Sequence, residues 1–122
     1  MLATTDSKWL GNYMQKVVAS EDVAGAENVN EFYRKNFRKV SSAQALDVVN
    51  ALAEGGNGSK VACLDNQFWV WESLEEALRG EVDSLCEEDY RNVVTVFAAN
   101  FKGSSDFIDL LEYKLYNLSE KV

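Results

Sequence analysis

The chain has 122 residues, 47% of them hydrophobic, and carries 12 Lys/Arg against 20 Asp/Glu for a net charge of −8, with no His and no Pro. A length of this order suits one domain, 1–122, that buries its own core, and missing His removes His-based nucleophile activation, proton shuttling and His metal ligation. Cys63 and Cys86 form no CxxC pair, so the expectation is two reduced thiols, no metal site, no cofactor, no catalytic residue and therefore no enzyme.

The charge is uneven. Residues 1–40 hold six Lys/Arg against five Asp/Glu, while residues 41–122 hold six against fifteen. A surface that acidic repels phosphate backbones, so nucleic acid is not the expected partner. No run reaches the roughly 20 apolar residues of a membrane span, and MLATTDSK lacks the apolar core of a secretory signal. The expected location is a reducing compartment, either the cytoplasm or an organelle whose targeting segment has been removed from the sequence.

In chain order, Trp9, Leu10, Tyr13, Met14, Val17 and Val18 recur at helical spacing and predict a first helix from about Asp6 to Ala19, capped by Asp6 or Ser7. SEDVAGAEN reads as a loop. Val29, Phe32, Tyr33, Phe37 and Val40 then mark a second helix whose last turns hold Arg34, Lys35, Arg38 and Lys39. Cations are favoured at a helix C-terminus, although the same four, with Tyr33 and Phe37, could serve an RNA-binding adaptor.

Ser41 and Gln44 form a capping box ahead of the stripe Ala45, Val48, Val49, Leu52 and Ala53. The segment GGNGSKVACL that follows lacks the phosphate-loop spacing and is expected to be a flexible insertion. Asp65 is the candidate cap of a fourth helix with Val70, Trp71, Leu74, Ala77, Leu78 and Val82 on one side, and Phe68 and Trp69 off that face. The acidic run from Glu72 to Asp89 does not match a calcium loop and reads as a solvated face.

EEDYRNVVTVFAANF is the strongest periodic stretch, with Tyr90, Val93, Val94, Phe97, Ala98 and Phe101 on one stripe behind an acidic first turn. Ser104 or Ser105 should cap a sixth helix with Phe107, Ile108, Leu111, Leu115 and Leu118 inward. Val49, Leu52, Leu74, Leu78, Val94, Phe97, Leu111 and Leu115 are the expected shared core.

Two copies of one pattern are visible. An offset of 45 lays VVNALA (48–53) on VVTVFA (93–98), and an offset of 37 lays Trp71, Leu74, Glu75 and Leu78 on Ile108, Leu111, Glu112 and Leu115. The expected fold is all-α, about six helices in stacked antiparallel hairpins, 6–40, 41–85 and 86–122, as a short α-solenoid-like array. The unit VVxxFAxxxxGSxDFIDLLExxL, behind a capping Ser or Cys and an acidic turn, resembles the helical-hairpin repeats of organellar proteins. These are the heptatricopeptide and octotricopeptide class, which also underlies the leucine-rich region of FAST-kinase-like proteins. The resemblance implies mitochondrial or plastid residence and, in many relatives, RNA binding along a basic groove; no RNA-contacting residue carries over.

The resulting functional expectation is a non-catalytic protein-interaction or scaffold module, an accessory subunit of a larger and mitochondrial assembly. The alternative is an RNA-binding helical-repeat adaptor. Aromatics left off the core stripes mark the expected protein-partner surface: Phe68, Trp69, Leu110, Tyr113 and Tyr116.

Overall fold

The computed structural model describes residues 7–55 and 61–120, and the side chains of 10–54 and 61–117. Among the described residues the chain is all-helical: α1 (Ser7–Ser20), α2 (Val23–Lys35), α3 (Ser42–Gly55), α4 (Phe68–Arg79), α5 (Glu87–Ala99) and α6 (Ser105–Glu120). Short 3-10 turns at Ala62–Leu64 and Val82–Ser84 precede and follow α4. No helix among them is long and apolar enough to cross a membrane. The Trp9 and Leu118 side chains, and residues 56–60 of the expected insertion, lie outside the described set.

Neighbours in space are not always neighbours in sequence. The closest pair is α1 with α3; α3 also lies beside α5 and α4, α2 lies beside α4, and α4 touches α6. Gly11 allows the α1–α3 approach, because a Cβ there would stand 3.1 Å from the Asp47 carbonyl oxygen. One core runs through the molecule. It includes Met14, Val17, Tyr33, Val49, Leu52, Leu74, Leu78, Phe97, Phe107 and Leu111.

Several boundaries differ from the sequence expectation. SEDVAGAEN is mostly helix, because Asp22 caps α2 by accepting from the Gly25 N–H at 3.0 Å, and Gly25 and Ala26 bury against α1. A Cβ at Gly25 would lie 2.7 Å from Asp22 Oδ2 and 2.8 Å from Val17 Cγ2, so a larger residue there would have to displace the capping carboxylate and the Val17 side chain. At its other end α2 stops at Lys35, and Arg38 turns the chain at φ 68°. The capping box forms: Ser41 Oγ accepts from the Gln44 N–H and Gln44 Oε1 accepts from the Ser41 N–H, both at 3.2 Å.

The segment read as an insertion is partly structural, since Val61 and Leu64 are buried in the core. Asp65 does not cap α4. Instead Asn30 of α2 accepts from the Trp69 and Val70 N–H groups at 2.8 and 3.2 Å, a cap supplied from another helix. Cys86 Sγ accepts from the Asp89 N–H at the head of α5.

The end of α5 corrects the expected stripe. Ala98 is exposed, and Phe101 is 89% exposed rather than inward. The helix closes at Asn100 with the Lys102 N–H bonded back to the Phe97 carbonyl at 2.9 Å, and Phe101 takes φ 55°. That left-handed position after a helix end is ordinarily held by glycine, and it swings Phe101 away from the core.

Leu115 is also corrected. It is 55% exposed, and Lys114 is inward in its place. The 3-10 turn at Val82–Ser84 leaves carbonyls facing α6, and Lys114 Nζ donates to those of Asp83 and Leu85 at 2.9 and 3.0 Å. A buried carbonyl without a donor is costly, so α6 turns Lys114 towards them, and its inner face is Phe107, Leu111 and Lys114 with Ile108 partly buried beside them, as expected.

Candidate functional site

The outward face of α6 follows from how the helix is anchored. Phe107 packs against Phe97 with ring centroids 5.0 Å apart, and the Tyr90 hydroxyl donates to the Leu111 carbonyl. Lys114 lies over the Tyr90 ring at 5.6 Å as well as on the two turn carbonyls. With that face fixed inward, Leu110, Tyr113, Leu115 and Tyr116 are turned out at 39, 64, 55 and 60% exposure. Asp106, Asp109 and Glu112 are exposed among them. Four large apolar side chains on one helix exceed the scattered single exposures of an ordinary surface.

Phe68 and Trp69 lie elsewhere, at the head of α4. Trp69 is half-buried and meets Phe37 and Phe68 edge-on, at centroid distances of 5.4 and 5.1 Å. Its ring packs the segment just after α2 against the head of α4. Phe68 is 61% exposed and looks across a cleft of about 350 Å3 towards Phe101, with Trp71, Glu72, Lys102 and Gly103 between them. The five aromatic and aliphatic residues singled out from sequence therefore form two groups, three on α6 and two at the start of α4.

The wall of that cleft fixes α6 to α4. Glu75 is 5% exposed and accepts from the Ser104 N–H at 2.7 Å, the Ser104 hydroxyl at 2.8 Å and the Arg79 guanidinium at 2.5 Å. Ser104 Oγ in turn accepts from the Phe107 N–H at 3.3 Å, capping α6. Burial pushes the Glu75 carboxyl up, but the Ser104 and Arg79 hydrogen bonds to its ionised form outweigh this and hold it below the usual range. The group is a structural anion.

The basic cluster of α2 is largely consumed by neighbouring acids. Arg34 forms a two-pronged pair with Glu31, Lys35 stands 4.0 Å from the same carboxylate, and Arg38 reaches Glu76 at 3.9 Å. Tyr33 is fully buried and Phe37 packs on Trp69, so the rings expected to stack with RNA bases are not presented.

On the opposite helices a polar seam crosses α1, α3 and α5. Gln15 donates to Glu54 at 3.2 Å, Asn92 donates to Asn50 at 2.8 Å, and Asn50 donates to Asp89 at 3.4 Å. Gly11, Asn12, Asp47 and Ala51 complete a small open cavity of about 150 Å3 there. Sequence reading missed this seam and the Asn30 cap. Asn inside a helix is a poor helix former, and Asn30, Asn50 and Asn92 were the available signal.

No group of three or more Cys, Asp or Glu among the described residues is arranged to hold a metal ion. Cys63 and Cys86 are free thiols, half-buried and exposed, and burial pushes the Cys63 thiol up. No protein-family model matches the chain, and neither a curated protein nor a solved structure is detectably similar to it.

Proposed function

We propose that this chain is a non-catalytic protein-interaction module, an accessory subunit that docks into a larger assembly through the outward face of α6. The observation that carries this reading is the exposure of Leu110, Tyr113, Leu115 and Tyr116 on a single helix whose opposite face is anchored. Aromatic residues are enriched at the centres of interfaces, where their area is buried at small entropic cost. The contacts of α3 with α1 and α5, and of α4 with α2 and α6, support a reading as two rows of helices, as stacked hairpins would give. In such an array each hairpin covers its neighbour's apolar surface. Among the described residues nothing gives Leu110, Tyr113, Leu115 and Tyr116 such cover.

An RNA-binding adaptor has less support, because Arg34 of α2 and Arg38 just beyond it face carboxylates and Tyr33 is inside. The resemblance to organellar repeats directs the search for the assembly to mitochondria. The test is affinity purification of the tagged chain from its native source, as wild type and as Leu110→Ser/Tyr113→Ser/Tyr116→Ser. The triple variant should lose the partner recovered with wild type and keep its helical circular dichroism. A partner retained by a folded triple variant overturns the reading.

A further inference from the structure

The exposed face of α6 is not uniformly apolar, and its charges are all of one sign. Asp106, Asp109 and Glu112 are exposed, whereas the one described cation of the helix, Lys114, is turned inward at 8% exposure. On α4 and α5, by contrast, Glu75 and Glu87 each have an Arg one turn away at 2.5 and 2.7 Å. Asp109, Glu112, Tyr113 and Tyr116 have no hydrogen-bond, ion-pair or ring partner among the described residues.

Their spacing gives this face a pattern. Asp109 stands one turn before Tyr113, and Glu112 stands one turn before Tyr116, so each carboxylate is the i, i+4 neighbour of an exposed phenol ring. The two acid–Tyr pairs are themselves three residues apart, a rise of about 4.5 Å along the helix. A carboxylate beside a ring face suits one chemical group in particular. A guanidinium or ammonium stacks its planar or methylene part on the ring while donating to the carboxylate, and its stem covers neighbouring apolar surface.

We infer that the partner docked on this face, in the interaction reading above on which this inference rests, is a basic amphipathic helix of another protein presenting Arg or Lys at i and i+4. One cation sits in the Asp109–Tyr113 pair and the next in the Glu112–Tyr116 pair, while apolar residues of the partner cover Leu110 and Leu115. A rise of about 6 Å between i and i+4 on the partner lies close to the separation of the two pairs.

The experiment uses a fluorescein-labelled 20-residue peptide, Ala- and Leu-based, with Arg at i and i+4 along one face, followed by anisotropy against the full chain. A control peptide of the same composition has its Arg at i and i+2, which do not share a face. The first peptide should bind with an affinity that falls between 50 and 300 mM salt, as expected of solvent-facing charge pairs. Asp109→Asn/Glu112→Gln should weaken it at least on the order of tenfold, through loss of two charge-assisted hydrogen bonds. Tyr113→Leu/Tyr116→Leu keeps the apolar area and should weaken it about fivefold through loss of the ring faces.

Glu87→Gln/Glu88→Gln removes the same charge from α5 and should change nothing. Equal weakening by this control, equal binding of the second peptide, or indifference to the Tyr→Leu pair overturns the inference. So does concentration-dependent self-association that the Asp109→Asn/Glu112→Gln variant abolishes, since a second copy would then be the occupant. If the native partner is lost by the Ser triple variant but kept by Asp109→Asn/Glu112→Gln, the basic-helix inference fails and the interaction reading stands. A native partner kept by the folded Ser triple variant removes the interaction reading and this inference with it.

Discussion

Helices α4 and α6 are written in nearly the same pattern and live in different surroundings. Leu74 and Leu111, at matching positions, are both buried. Four residues further on the match breaks, because Leu78 is fully buried and Leu115 is 55% exposed. Glu75 is enclosed by Ser104 and Arg79, while its counterpart Glu112 faces out. The difference lies in the neighbours. α4 has α2, α3 and α6 around it, so its buried arc is wide enough to include Ser73 and Glu75. α6 rests on α4, on Tyr90 and Phe97 of α5 and on the turn before α5, and Phe107, Leu111 and Lys114, with Ile108 partly buried beside them, fill its inner face. An amphipathic stripe states which residues are fit to be buried, and how much of the helix its neighbours cover decides how wide a stripe is used.

The strongest way to break the comparison is at the residue that joins its two sides. Phe97 meets Trp71 of α4 at 5.6 Å and Phe107 of α6 at 5.0 Å. Phe97→Ala should cost about 3–5 kcal/mol, read as a large fall in the urea midpoint. Next, Leu78→Ala should cost about 2–5 kcal/mol while Leu115→Ala stays within about 0.5 kcal/mol. Equal losses at the two sites would show that α6 is packed like α4.

Glu75→Gln should destabilise by about 1–3 kcal/mol, because the Ser104 N–H and Arg79 lose a charged acceptor, and Glu112→Gln should be close to neutral. The pH dependence has a definite sign. Glu75 is held below its ordinary value in the folded state, so its contribution is complete above an unfolded glutamate pKa of about 4.3 and disappears as pH falls through the lowered folded value. The stability gap between wild type and Glu75→Gln should therefore close on acidification through that window in denaturant titrations.

Lys114→Met keeps the stem and removes the ammonium from the Asp83 and Leu85 carbonyls, which should cost about 1–3 kcal/mol. A neutral outcome would mean that α6 owes its rotation to something else. The smallest expected effect has the opposite direction. The Ser73 hydroxyl is buried on α4 with no hydrogen-bond partner among the described residues. Ser73→Ala should stabilise by up to about 1 kcal/mol, detectable as a small rise in Tm.

Much of this was legible in the sequence because it depends on residues close together along the chain. Helical periodicity identified six helices, the Ser41–Gln44 box was readable as two side chains three apart, and Val49, Leu52, Leu74, Leu78, Phe97 and Leu111 were placed in the core by their stripes. The exposed positions of Leu110, Tyr113 and Tyr116 on α6 also follow from helical angle relative to Phe107 and Leu111. What only the tertiary structure decided are the choices in which a distant group competes with a local one. Asn30, 39 positions before Trp69, caps α4 where Asp65 was the local candidate. Carbonyls of the turn before α5 draw Lys114 inward and leave Leu115 outside, and a left-handed turn after Asn100 puts Phe101 in solvent although the periodicity pointed it inward. In each case a buried backbone group needed a partner or a helix needed an end, and the residue that answered was set by three-dimensional proximity, which no spacing along the chain encodes.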